Sequence, residues 1–430
     1  MLNENYLIIF IYKMKIIWYY SFMYIRRRIE DRLTAALKRD EITVIVGARQ
    51  TGKTTLLKRL KSILDQNGEI TFFINLENPR YLDALNQSPE NLFTLTGTLP
   101  AKKVYVFIDE VQYLNTPSNF LKYIHDEYKE KIKLIVSGSS AFYIDQKFTD
   151  SLAGRKRLFE LTPLDFREFL RFKNREDLLQ LFHHVPLFEK REIPGLKLDE
   201  LNKLLTEYVK YGAYPAVVLE TEPKEKEYML DDLFNSFLAK DVEVLGIRKK
   251  EKFFALIRIL SMQVGNLLNQ KEIANTLQIS VTAVDNYMYL LEKSYIVKKV
   301  SPFFENLRKE LTKMPKLFFL DLGIRNMAAG NFDWLEHRMD RGMLFENLVF
   351  KLLSDREDVN HINFWRTQTK KEVDFIINRQ FAFEIKYNGL KFEPGKYRLF
   401  RETYPEIPLG VVSLINSNLK SQSFNHFDLI

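Results

Sequence analysis

Gly47-Ala48-Arg49-Gln50-Thr51-Gly52-Lys53-Thr54 decides how the rest of the chain is read. A glycine, four residues, a second glycine, then Lys and a hydroxyl residue is the spacing of a phosphate-cradling loop. Its flanks suit it. Glu41-Ile42-Thr43-Val44-Ile45-Val46 reads as a buried strand, and residues 55–64 carry apolar side chains at helical spacing. A strand entering a helix through a glycine-rich turn aims main-chain N–H groups at one spot, where the positive end of the helix dipole also lies. Gly47 and Gly52 permit the unusual angles and the close approach. Lys53 is expected to reach the β- and γ-phosphates of ATP, and the Thr54 hydroxyl to ligate Mg2+. The nucleotide-binding set is Gly47, Ala48, Arg49, Gln50, Thr51, Gly52, Lys53, Thr54 and Thr55. A chance match in a surface loop is the competing reading, and the strand and helix on either side argue against it.

Composition limits the alternatives. The chain has 430 residues, 46% of them hydrophobic and 28% charged, enough for about two to four folded domains. Cysteine is absent, which excludes disulfides and thiolate metal sites and fits a reducing, cytoplasmic setting. The six histidines have no zinc-site spacing. A net charge of +8 permits a polyanionic partner such as DNA without requiring one.

The N-terminus is apolar and aromatic from Tyr6 to Ile25, but Lys13 and Lys15 interrupt it and Arg26-Arg27-Arg28 follows. Each of those lysines would cost about 3 kcal/mol near the middle of a membrane span. No small-residue cleavage site follows, which disfavours a signal peptide. Three readings stand. The favoured one places the true start at Met14 or Met23, leaving residues 1–25 as an extension. An interfacial anchor in contact with a membrane is the second, and a true span the least favoured.

After the loop, continuous apolar runs at residues 70–76, 104–108 and 133–137 alternate with helical stretches. That pattern indicates an α/β fold with a parallel sheet covered on both faces, whose ligands gather at the carboxyl ends of the strands. The run Val104–Ile108 ends in Asp109-Glu110. Asp109 is expected to hold the magnesium, and Glu110 to polarise the attacking water as general base. Ser137-Gly138-Ser139-Ser140 closes the next strand. Ser139 is the favoured γ-phosphate sensor, a plain turn with Ser140 as N-cap being equally good. Arg155 or Arg157, in the basic run that follows, could neutralise transition-state charge in cis or from a neighbouring copy in a homo-oligomer, or be a solvated loop.

Residues 166–245 look helical, interrupted at Tyr211-Gly212-Ala213-Tyr214-Pro215. Residues 271–293 read as helix–turn–helix, with Ile273, Ala274, Leu277, Val284, Met288 and Leu291 facing a core and Ser280 as N-cap. Residues 295–300 and 316–320 could form a wing. The shape is that of a DNA reader, but the second helix carries Asp285 and Glu292 against Lys293. A structural or coupling role is therefore favoured. The stretch Arg308-Lys309…Lys313…Lys316 is the better candidate for phosphate contact. Further on, Glu346 lies in a helical run, and two strands carry Glu372-Val373-Asp374 and Glu384-Ile385-Lys386. Strand alternation puts Glu384 and Lys386 on one face, and Asp374 can join them across a hairpin. A cross-strand ion pair would produce the same pattern. Trp365 and Arg366 are given no chemistry.

Taken together, Gly-Ala-Arg-Gln-Thr-Gly-Lys-Thr-Thr, Phe-Ile-Asp-Glu-Val-Gln, Val-Ser-Gly-Ser-Ser, Leu-Ala-Gly-Arg and Leu-Thr-Pro-Leu resemble the archaeal and bacterial AAA-type ATPases with a restriction-endonuclease-like C-terminal domain. The resemblance runs from about residue 25 to 386. It implies a five-strand P-loop core of the class with an added strand and a catalytic glutamate, over residues 26–165. It implies a helical lid over 166–245, a winged helix over 246–325 and a nuclease-like α/β domain over 335–430. It also implies that Pro215 approaches the nucleotide base, although this chain has Tyr-Gly where relatives often have Gly-Gly; a helix-breaking turn explains the segment equally well. The C-terminal residues resemble the PD-(D/E)XK nuclease site. There Glu346, Asp374 and Glu384 would hold magnesium and Lys386 would orient the attacking water in DNA phosphodiester hydrolysis. Val373 stands where that motif has proline.

Overall fold

The computed structural model describes residues 24–97, 102–138, 152–183, 185–244, 249–304, 314–415 and 423–430, without side chains for 236–244. The apolar extension (all but Tyr24 and Ile25), Ser139, Ser140, Arg308, Lys309 and Lys313 lie outside the described residues. Among the described residues no helix is long and apolar enough to cross a membrane. The chain divides into two compact units. One takes the residues before Ala48 and Gly52–Leu161, the other Ala48–Thr51 and Thr162–Ile430.

In the first unit, α1 (Glu30–Leu37) leads into β1 (Ile42–Val46), and the glycine loop leads into α2 (Lys53–Gln66). The other strands are β2 (Ile70–Asn75), β3 (Val104–Asp109), β4 (Ile132–Gly138) and β5 (Lys156–Glu160), with α3 (Pro117–Tyr128) before β4. The sheet order is β2-β3-β4-β1-β5, and every pair is parallel. β1 is buried along its whole length, as its unbroken apolar run requires. Leu56, Leu57, Leu60 and Leu64 form the buried stripe of α2, packed with Ile45, Phe107 and Ile135 from the sheet and Leu33 from α1. The parallel register sets the ends of β1, β3 and β4 side by side, so residues following them in sequence become neighbours in space.

The second unit begins with helices α4 (Phe166–Phe172), α5 (Gly195–Tyr211), α6 (Pro215–Leu219) and α7 (Pro223–Val244). After α8 (Lys250–Met262) come α9 (Gln270–Leu277) and α10 (Val281–Lys293), then the antiparallel pair β6 (Val297–Val300) and β7 (Lys316–Phe319). All six apolar positions assigned to a core in α9 and α10 are buried. The Ser280 hydroxyl caps α10 by accepting from the Ala283 N–H at 3.1 Å. Next are α11 (Leu322–Ala329) and α12 (Arg341–Arg356). A second sheet follows, of β8 (Ile362–Arg366), β9 (Glu372–Ile377), β10 (Phe381–Asn388), β11 (Leu409–Ile415) and β12 (Ser423–Asn425), in the order β12-β11-β10-β9-β8. β8, β9 and β10 pair antiparallel, and β10 and β11 pair parallel. Trp365 is core, its ring edge-on to Phe400. The three modules expected after residue 165 thus share one compact unit.

Candidate active site

The loop between β1 and α2 is held by contacts only its glycines allow. Gly47 has φ +154, and a Cβ there would stand 2.1 Å from the Leu161 carbonyl oxygen. Gly52 caps α2 at φ 96 without any side-chain cap, leaving the positive end of the helix dipole directed at the loop. Thr51 donates to the Ala48 carbonyl at 2.8 Å. Lys53, 5% exposed, turns its ammonium onto the Gly47 carbonyl at 2.9 Å. Arg49 is half-buried, while Gln50 and Thr55 are exposed.

Asp109 and Glu110 follow from β3. The Thr54 hydroxyl donates to Asp109 Oδ2 at 2.6 Å. Asp109 is buried, and its other oxygen accepts from the Ser137 hydroxyl at the end of β4. The same Ser137 oxygen accepts from the Glu110 N–H at 3.1 Å. Glu110 adopts the left-handed backbone, φ 59, and its carboxylate accepts from the Gln112 side-chain amide. Ser137 and Gln112 are the residues that the reading of the sequence missed. Ser137 lies two positions before the expected sensor, and only the parallel register of β3 and β4 puts it beside Asp109. The hydroxyl of Thr54 and the carboxylate of Asp109 are hard oxygen donors on one spot, a set that fits Mg2+.

Arg155 stands elsewhere. Its carbonyl accepts from the Ile42 N–H at 2.7 Å, so it lies at the amino end of β1, away from the loop at the carboxyl end. Its guanidinium pairs with Asp126 of α3 at 2.6 Å. The structure does not bring it to Lys53 or Glu110 within the chain.

In the second unit, Pro215 opens α6, and the turn before it is gripped from β7 and α11. The buried Asp321 carboxylate accepts from the Ala213 N–H at 2.8 Å and the Ile324 N–H at 2.9 Å. Burial nevertheless pushes the Asp321 pKa up.

The C-terminal carboxylates gather where β7, α12, β9 and β10 meet. Glu384 and Lys386 are ion-paired on one face of β10, and the Asp374 Oδ2 accepts from the Ile385 N–H at 2.8 Å. The centre is filled by Lys316. Its side chain is 1% exposed, and its ammonium lies 2.6 Å from Glu372, 3.0 Å from Glu346 and 3.5 Å from Asp374. Lys316 therefore cannot serve as the exposed phosphate contact expected of its basic stretch. Glu372 also pairs with Arg366. Burial would lower the Lys316 pKa, but Glu346, Asp374 and Glu372 together hold it above the usual lysine range. Burial pushes Glu346 up to about 7 against the pull of Lys316. Burial and then the Asp374 charge push Glu384 up to about 8. Among the described residues no three His, Asp or Glu side chains form a metal-holding group. The oxygens of Glu346 and Asp374 that would hold magnesium converge on an ammonium instead, so these residues do not fit a divalent ion as they stand. A cavity of about 760 Å³ opens beside Glu384, with Lys370, Lys371 and Lys396 on its walls.

The parallel sheet, the loop and the acids after β3 define an AAA-type P-loop ATPase domain. Residues 39–170 match the AAA domain family. Residues 202–334 and 341–427 match two domains of unknown function (DUF8612 and DUF4143). The chain is similar to an uncharacterized protein of Haemophilus influenzae, 28% identical over 82% of this chain and 83% of the other. It is also similar to an uncharacterized protein of Methanocaldococcus jannaschii, 27% identical over 93% of this chain and 85% of the other. Among solved structures, the Thermotoga maritima RuvB Holliday junction branch migration motor aligns with a TM-score of 0.31 at 15% identity, over 67% of this chain and 95% of that one. The replication initiator DnaA bound to AMPPCP and single-stranded DNA aligns with a TM-score of 0.29 at 17% identity, over 63% of this chain and 90% of that one.

Proposed function

We propose that this chain binds and hydrolyses ATP at the loop between β1 and α2, and that turnover controls the second unit, which acts as a nucleotide-gated regulator. Lys53 would leave the Gly47 carbonyl for the β- and γ-phosphates, and main-chain amides of the loop would carry the rest of the charge. Thr54 and Asp109 would hold Mg2+, which when bound neutralises the developing phosphate charge. Glu110 would take the proton of the attacking water, with Ser137 fixing the two acids relative to each other. The observation that carries the reading is the Thr54–Asp109 hydrogen bond at 2.6 Å, beside a buried Lys53. Glu110→Gln should keep ATP bound while phosphate release falls roughly hundredfold or more. Unchanged release would remove the assigned base.

For the second unit, the resemblance implies a magnesium-dependent DNA nuclease or nuclease-like domain, and the alternative is a nucleotide-gated regulator that binds DNA or protein with an inactive C-terminal domain. Lys316, standing among the acids that would hold the metal, favours the regulator. Plasmid incubated with the protein, Mg2+ and ATP should remain intact. Cleavage that disappears in Lys386→Ala would restore the nuclease reading.

A further inference from the structure

We propose that the Lys316 ammonium is the resident cation of the C-terminal carboxylate cluster, standing where a divalent ion would otherwise be needed to hold those acids together. The inference deepens the regulator reading of the second unit and stands apart from the ATPase. Three carboxylates from two elements, Glu346 of α12 and Glu372 and Asp374 of β9, direct oxygens at the ammonium of one buried side chain. Acids this close repel one another unless a cation is shared between them. A lysine on a third element supplies it, brought in by β7 from the sheet it forms with β6. Lys386 occupies Glu384, Arg366 occupies the second oxygen of Glu372, and the Ile385 N–H occupies the second oxygen of Asp374. Both oxygens of Glu372 and of Asp374 are thus paired within the chain, while Glu384 keeps Oε2 buried without a hydrogen-bond partner among the described residues. Gly265, at φ +74, backs Glu346 so closely that a Cβ there would meet its carboxylate at 2.9 Å, which fixes that acid toward Lys316.

Deleting the ammonium should turn the cluster into a divalent-cation site. In Lys316→Ala the three acids lose their shared partner and the shortened side chain leaves room for an ion with water. Its melting temperature should rise with Mn2+ concentration, and its Mn2+ affinity should exceed that of the wild-type second unit by roughly tenfold or more. Adding Asp374→Asn should abolish the gain. A Lys316→Ala protein that folds and ignores Mn2+ overturns the proposal. Wild-type protein decides the matter if that variant does not fold. Without nucleotide, Mn2+ counted by electron paramagnetic resonance should be unaffected by Asp374→Asn, and any weak binding should vanish in Asp109→Asn. A bound Mn2+ that survives Asp109→Asn and disappears in Asp374→Asn would show that metal displaces the lysine, and the proposal fails. Because the readout is metal binding, its failure is distinct from plasmid cleavage and from loss of ATP turnover.

Discussion

Gly212→Ala should destabilise the second unit far more than an ordinary glycine replacement. Gly212 ends α5 at φ 72 and ψ −158, a region open in practice only to glycine, where any other residue costs about 1–3 kcal/mol. The new Cβ would also stand 2.3 Å from Asp321 Oδ1 and 2.6 Å from the Gly323 nitrogen. The backbone nitrogen has no room to give, so the carboxylate must move. Moving it gives up at least one of its hydrogen bonds to Ala213 and Ile324, and breaking a buried bond to a charged acceptor costs about 1.5–3 kcal/mol. The two terms sum to about 2.5–6 kcal/mol, a large part of the stability of most domains. Gly330→Ala is the internal control. Gly330 has φ 65 after α11, and nothing lies within 4 Å of an added Cβ. It should cost about 1–2 kcal/mol from its backbone angle alone. Urea unfolding of both variants, followed by fluorescence of Trp334 and Trp365, gives the comparison. If Gly212→Ala costs no more than Gly330→Ala, the grip of Asp321 on this turn does not exist.

Two further outcomes follow from named atoms. Ser137→Ala removes the hydroxyl bridging Asp109 and the Glu110 N–H. It should lower kcat for ATP about tenfold to hundredfold with little change in binding, and Ser139→Ala made alongside it tests which serine matters. His426 is enclosed by the rings of Phe345 and Phe427, and burial pushes its pKa from 6.5 down to about 3. The folded chain therefore keeps it neutral, while the unfolded chain takes up a proton below 6.5. Stability tied to it is complete above that value and is lost as pH falls toward 3. Between about pH 8 and pH 5 the loss is about 2 kcal/mol. His426→Phe should lose about that much less than wild type over the same interval in urea unfolding. Equal acid sensitivity in the two proteins would exclude the mechanism.

The first unit was legible because its chemistry is written in contiguous residues. The eight residues from Gly47 contain the loop, and runs of buried aliphatics mark β1, β3 and β4 almost to the residue. What the sequence did not reveal is how strand ends meet. Ser137 shares Asp109 only because β3 and β4 are parallel and in register. Gln112 engages Glu110 because the backbone there turns left-handed, to which no local pattern points. The basic run offers Arg155 or Arg157 for transition-state charge, yet β5 begins beside the start of β1, which leaves Arg155 at the amino end of the sheet, away from the loop. In the second unit, the alternation of β10 foretold the Glu384–Lys386 face. Lys316 was invisible as their companion, lying 30 positions before Glu346 and 58 before Asp374.

One short segment organises much of the second unit. Residues 316–326 run from β7 into α11 and are fastened by buried polar groups along their length. Lys316 binds the carboxylate cluster at one end. The Asn347 side chain of α12 both accepts from the Phe319 N–H at 2.9 Å and donates to its carbonyl at 2.8 Å. Asp321 grips the turn before Pro215, and Asn326 donates to the Val209 and Lys210 carbonyls at the end of α5. Each group is buried, so a bond broken without replacement leaves an unsatisfied polar atom, which costs about 1–3 kcal/mol. Such a network moves as a block or not at all. A displacement of the Tyr211–Pro215 turn would therefore pull on the segment that holds Lys316 among its carboxylates. A cation carried by the chain, unlike a bound metal, is tethered to that displacement, and this gives the cluster a mechanical connection that a dissociable ion could not supply.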